Sequence, residues 1–202
     1  MHGVPALTGG AVDAAGRTDL AIVRDVLLAA GVPANDIDAR SDVLQAATVA
    51  AYERLCPADL SATVAPGVRE LLGALAARPR EFRLSLVTGN LEPVARLKLD
   101  RAGIGRHFPR GQGGFGSDDE SRAELPPIAR ARAATPPWPR ERTVVIGDTP
   151  RDIACARADG VRVAALTTGG FGAGALAAAD AVVDHARALA PVLEDWLEHE
   201  PG

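Results

Sequence analysis

From residue 143 to 168 the chain reads TVVIGD, then a helical stretch over 150–159, then VRVAALTT. Short apolar runs closed by Gly or a polar residue read as strands, and a helix between two of them favours parallel pairing. FRLSLVTGN (82–90), followed by a helical pattern over 92–103, extends the same alternation. Helices are also expected from Val68 (with Leu71, Leu72 and Leu75), over 120–134 and over 173–179; residues 107–118 read as a weak strand or loop, and 181–184 as a small final strand. Over 67–190 this predicts an α/β fold whose core is a doubly wound parallel sheet of the Rossmann-like kind.

The chain ahead of that core has a different texture. Residues 1–16 hold four glycines and a proline without a sustained period and read as irregular. From Asp19 a helical face of Leu20, Val23, Val26 and Leu27 runs to Gly31-Val32-Pro33. A second helix is expected over 39–55, with Val43, Leu44, Ala47 and Ala51 inward. Segment 57–67 connects it to the core between Pro57 and Pro66. The helix pair reads as an insertion or lid.

Composition excludes several classes. With 202 residues and 47% apolar content the chain can bury one real core. No stretch reaches the roughly 20 apolar residues of a membrane span, and no basic-then-apolar leader opens the chain, so a cytoplasmic protein without membrane partners is expected. A net charge of -4 with scattered signs argues against nucleic acid. The two cysteines, Cys56 and Cys155, are expected to be reduced thiols. Among the 22 basic residues Lys98 is the single lysine, so any role needing one falls there. The four histidines have no metal spacing, and Gly-rich GGFGAG (169–174) and 113–116 read as turns.

In parallel sheets ligands bind beyond the carboxyl ends of strands. One expected strand delivers Thr88, Gly89 and Asn90 there, a hydroxyl and a Gly ahead of a helix, which suits an oxyanion. Another delivers Asp148 and Asp152, hard oxygen donors suited to Mg²⁺. Each alone has a plainer reading: a turn at 88–90, or a helix N-cap by either aspartate near Thr149-Pro150. Together they describe a pocket for a phosphate and a magnesium ion.

On these residues the chain resembles the haloacid dehalogenase-like hydrolases, in their phosphoglycolate-phosphatase-like branch with a small helical cap. LSLVTGN resembles the second motif of that family, with Thr88 as phosphate binder beside Gly89 and Asn90. Gly147-Asp148-Thr149-Pro150-Arg151-Asp152 resembles the fourth, GDxxxD, which implies Mg²⁺ on Asp148 and support from Asp152. The third motif is a basic residue that neutralises nucleophile and phosphate. Arg122, in ESRAELPPIARARA, sits at the matching distance and is preferred to Lys98, expected on solvated helix surface; Arg keeps the charge and adds bidentate reach. Residues 17–62 would be the cap and 63–202 the core, with Arg17 a candidate contact for substrate.

The family's first motif, DxDxT at the end of a central strand, has no counterpart, and AAGRTD (14–19) resembles the cap entry that normally follows it. The expectation is therefore an N-terminally shortened Mg²⁺-dependent phosphatase of small phosphorylated metabolites, lacking its aspartate nucleophile and inactive as 202 residues. The alternatives are a non-catalytic phosphate-binding relative and, with less support from GDxxxD, a haloacid dehalogenase.

Overall fold

The computed structural model describes residues 14–199, so most of the irregular stretch at 1–16 lies outside the described residues. Helices α1 (Asp19–Ala29), α2 (Ala34–Asp38) and α3 (Ser41–Leu55) come first. Thr18 starts α1 by accepting from Ala21 N at 3.2 Å. Gly31 then turns the chain with φ +81°. On α3 the inward face is the expected one only in part: Leu44 and Ala51 are half-buried with Thr48 and Tyr52, whereas Val43 is 63% exposed and Ala47 is exposed. The contact that decides the rotation is with the core helix α5 (Glu92–Arg101), where Lys98 Nζ sits 4.6 Å from the Tyr52 ring.

The rest of the chain is α/β. In order follow α4 (Val68–Ala76), β1 (Val87–Thr88), α5, β2 (Gly114–Phe115), α6 (Leu125–Ala133), β3 (Val144–Gly147), α7 (Pro150–Asp159), β4 (Arg162–Leu166), α8 (Ala173–Leu176), β5 (Ala181–Val183) and α9 (Leu189–Glu198). All pairings are parallel, as the alternation predicts. β3 pairs with β4 from Val144–Arg162 to Gly147–Ala165, and β4 pairs with β5 from Ala164–Ala181 to Leu166–Val183. Helix α9 was not expected. It buries Leu189 and Leu193 and packs Trp196 against the buried cluster of Ala164 and Leu166, with the Arg162 guanidinium 5.3 Å from the indole.

The sheet is not continuous among the described residues. β1 pairs with β2, and β3, β4 and β5 form a second piece. The long strand expected over 82–90 is reduced to Val87–Thr88 because only one of its edges finds partners: Gly114 N donates to Leu86 O at 2.8 Å and Gly116 N to Thr88 O at 2.9 Å. Its other edge faces an apolar cleft of about 400 Å³ whose far wall is β3.

Two buried clusters flank β4. Val145, Ile153, Ala156, Val161, Val163, Ala165 and Leu176 pack on the α7 and α8 side, and Ala164, Leu166, Ala186 and Leu189 on the α4 and α9 side. A strand apolar on both faces is what a covered parallel sheet requires. Arg130, on α6, ties this frame together by a two-pronged pair with buried Asp159 at 2.7 and 2.8 Å, and its Nη1 also donates to Trp138 O.

Candidate active site

The loop after β3 is built by a capping box. Thr149 is the N-cap of α7 and accepts from Asp152 N at 3.2 Å; Pro150 occupies the first helical position, where no N–H is needed. In return Asp152 Oδ2 accepts from Thr149 N (2.9 Å), Thr149 Oγ1 (2.8 Å) and Asp148 N (3.1 Å). Asp152 Oδ1 takes the Arg122 guanidinium. Both oxygens of this 5% exposed carboxylate are thus committed within the protein. The cap is Thr149, and the two aspartates divide the labour: Asp152 holds the loop, and the Asp148 carboxylate takes no side-chain partner among the described residues.

Asp148 is half-buried and feels that position. Burial pushes its carboxyl above the ordinary carboxylate range, the Asp152 charge adds to this, and its own backbone N–H and the Arg122 charge act against it. Gly169, in the turn after β4, stands so close that a Cβ there would overlap the Asp148 carboxylate. Cys155 lies one turn along α7, buried, donating to Asp152 O at 3.2 Å, and burial raises its thiol pKa.

The loop after β1 is held from the opposite side. Asn90 N donates to Thr88 Oγ1 at 3.2 Å. Asp19, buried at 7% exposure at the start of α1, accepts from Asn90 Nδ2 and Leu91 N at 3.0 Å each, while its own N–H donates to Gly89 O at 2.7 Å. Lys98 reaches the same loop and donates to Asn90 Oδ1 at 3.0 Å, which replaces its expected place on solvated surface. Gly89 is required by contact rather than by φ, because a Cβ there would overlap the Arg17 carbonyl.

Residues 16–19 join the two loops. Gly16 lies against Thr149 and Arg151, Ala15 O accepts from Arg151 at 2.5 Å, and Thr18 Oγ1 donates to Glu120 O at 2.7 Å. Thr88, Gly89, Asn90, Asp148, Asp152 and Arg122 are thereby gathered around one rim at the carboxyl ends of β1 and β3. Arg17 points elsewhere, paired with Asp25 at 2.6 Å on α1. The sequence reading missed Asp19 and Lys98 as parts of this rim. The signal for Asp19 was its place directly after the cap residue of α1; Lys98 carried none, since its partner Asn90 is on the preceding loop and its aromatic neighbour on another helix.

The Arg122 side chain is 16% exposed, and its Nε is buried without a hydrogen-bond partner among the described residues. An unpaired buried donor costs about 1–3 kcal/mol, so this nitrogen favours an incoming anion. Among the described residues no three His, Cys, Asp or Glu side chains cluster as a metal cage.

A family model for haloacid dehalogenase-like hydrolases matches residues 12–157, and one for a HAD-hydrolase-like family matches 125–190. The chain belongs to the haloacid dehalogenase-like hydrolases. In this family setting it is 35% identical over 108 residues to a phosphoglycolate phosphatase of Rhodospirillum rubrum, a match covering 54% of the chain and 43% of that relative. It thus spans less than half the length of the curated relative it matches. A β-phosphoglucomutase from Clostridium difficile shares the fold with a TM-score of 0.63 at 14% identity, over 91% of this chain and 78% of that one. This HAD-like hydrolase has, among its described residues, no helix long and apolar enough to cross a membrane.

Proposed function

We propose that this protein is a Mg²⁺-dependent phosphatase of a small phosphorylated metabolite. The observation that carries the reading is the convergence on one rim of a hydroxyl loop at Thr88, the buried Arg122 Nε and the Asp148 carboxylate, the last two without a side-chain partner among the described residues. The Thr88 hydroxyl, which accepts from Asn90 N and keeps its own proton to give, and the N–H of Gly89 would cradle a phosphoryl group. Arg122 Nε would donate to it while the rest of the guanidinium stays on Asp152. Mg²⁺ keeps several waters and needs few protein ligands, so Asp148 together with a substrate phosphate fits it. When bound, the ion supplies charge neutralisation at the phosphoryl oxygens.

The attacking carboxylate that the family resemblance implies is neither Asp152, whose oxygens are committed, nor Asp148, reserved for the cation. A second reading, a non-catalytic phosphate binder, is favoured by the lack of a metal-like carboxylate cluster among the described residues. Calorimetry with inorganic phosphate and Mg²⁺, beside a turnover assay on phosphate monoesters, separates the two. Turnover that disappears in Asp148→Asn supports the phosphatase; tight binding without turnover in the 202-residue chain supports the binder; neither binding nor turnover overturns both.

A further inference from the structure

Lys98, the single lysine of the chain, lies half-buried on α5. Helical side chains lean toward the N-terminus of their helix, so its stem runs back to the loop that opens α5. There Nζ donates to Asn90 Oδ1 at 3.0 Å, and Asn90 Nδ2 donates to Asp19 Oδ1 at 3.0 Å. The Asn90 amide thus bridges a cation and an anion. An ammonium only donates and a carboxylate only accepts, so the two charges fix which end of the amide faces which. The Asn90 backbone is held as well: its N–H goes to Thr88 Oγ1 at 3.2 Å, and its carbonyl accepts from Gly116 N at 2.9 Å. Each polar group of Asn90 has a partner within the protein. What Asn90 gives the rim is therefore the placement of its neighbours, Thr88 Oγ1 and the Gly89 N–H.

The same ammonium meets the helical part. It stands 4.6 Å from the centre of the Tyr52 ring on α3, and Tyr52 is half-buried. Burial raises the Tyr52 hydroxyl pKa, and the Asp19 charge adds to it, so the ring lies within electrostatic reach of the same cluster. Arg101, at the end of α5, donates to the carbonyls of Cys56 and Glu53 where α3 ends. Helix α3 is thus seated on α5 by two cations, and of these Lys98 also bonds the anion loop. A half-buried ammonium keeps its charge only with such partners, an amide oxygen on one side and an aromatic face on the other.

We propose that Lys98 is a positioning residue of the anion loop: through the Asn90 amide it holds Thr88 Oγ1 and the Gly89 N–H in place for a phosphate, and Tyr52 sets where its ammonium stands. Without Lys98 the Asn90 carbonyl loses its donor, the amide is free to turn, and a positive charge leaves the neighbourhood of the loop. Each of these lowers anion affinity. That the loop binds a phosphate rests on the phosphatase reading; the link from Tyr52 through Lys98 to Asn90 stands on the contacts alone.

The experiment uses the 202-residue chain, inorganic phosphate with Mg²⁺ as the probe, and NMR of the lysine side chain, whose signal is unique because the chain has one lysine. Lys98→Met is expected to weaken phosphate binding about tenfold, and Lys98→Arg to regain part of the loss. Tyr52→Leu should weaken it about threefold, and Tyr52→Phe, which keeps the ring, should lose less. The double variant Tyr52→Leu with Lys98→Met should bind no more weakly than Lys98→Met alone, because both act through one ammonium. In the wild type the ring shifts the Lys98 signal to high field; Tyr52→Leu should abolish that shift and move the Asn90 side-chain amide signal. A Lys98→Met variant with lowered Tm and full phosphate affinity overturns the proposal, and additive losses in the double variant overturn the part played by Tyr52. Should Lys98→Met not fold, the comparison of Tyr52→Leu with Tyr52→Phe carries the test. A wild-type chain that binds no phosphate overturns the phosphatase reading, and an Asn90 amide signal unmoved by Tyr52→Leu overturns the link as well.

Discussion

Arg122 and Asp152 form a closed ion pair at the base of the rim, 16% and 7% exposed at their side chains. The pair couples three pieces of chain distant in sequence: the turn before α6, the capping box of α7, and through Asp152 the backbone of Asp148. It places a positive charge at the rim while using up the second aspartate of GDTPRD. The charge and the loop are therefore one unit.

Removing Arg122 should strand a buried carboxylate. Arg122→Ala is expected to lower stability by about 3 kcal/mol, as breaking buried pairs does, and to weaken inorganic phosphate binding. Arg122→Lys should recover part of the stability and less of the phosphate affinity, because a lysine cannot hold Asp152 and reach an anion with separate nitrogens. Urea denaturation and calorimetry on both variants test this.

Asp148 should behave in the opposite way. Burial disfavours its charged form, so Asp148→Asn should leave stability at pH 7 unchanged or slightly higher. The same variant should lose Mg²⁺ affinity by at least about tenfold, about 1.4 kcal/mol. A marked fall in Tm would show Asp148 to be structural instead.

Asp159 sets an acid limit. Burial alone would raise its pKa, but the bonds from Arg130 and Arg140 outweigh it and hold the carboxyl below the ordinary 3.8. A depressed folded pKa contributes stability that is complete above the unfolded value and is lost as pH falls through the folded one. Stability should therefore decline below about pH 4. Asp159→Asn should be less stable at pH 7 by about 3 kcal/mol, since Arg130 is left unpaired, and should show a shallower acid decline in thermal melts from pH 7 to 2.5.

Gly89 and Gly116 are stacked: a Cβ on Gly89 would meet the Arg17 carbonyl, and one on Gly116 would meet the Gly89 carbonyl. Gly89→Ala or Gly116→Ala must push backbone apart, at a cost of about 1–3 kcal/mol. Phosphate binding should fall in both while far-UV circular dichroism stays unchanged; an alanine variant with full affinity would show the loop to be slack.

What could be read from sequence was what is local. TVVIGDTPRD announces strand and helix within ten residues, and both are found where expected, although the cap falls to Thr149 and not to either aspartate. The β1 loop was legible for the same reason. Contacts across long separations were not: Asp19 with Asn90, Arg122 with Asp152 and Arg130 with Asp159 depend on how helices dock, which no spacing encodes. The face of α3 was half misjudged because alanines on both sides leave its apolar stripe poorly defined, so docking on α5 chose the rotation. The shortened β1 reflects a missing neighbour, a property of the sheet and not of FRLSLVTGN. Helix α9 was passed over although Leu189, Leu193 and Trp196 keep helical spacing.

The short run from Gly16 to Asp19 is both the doorstep of the first helix and a strut of the anion loop. Thr18 starts α1 with one oxygen and grips Glu120 with the same group, and Asp19 clasps Asn90 and Leu91. The helical part therefore cannot tilt about its first turn without disturbing the hydroxyl and N–H groups that would face a phosphate. On the phosphatase reading, thermodynamic reciprocity has an anion that tightens those groups also steady the helices, and a molecule gripping the helices sharpen the grip on the anion. Posture and affinity in this protein share a single hinge pin.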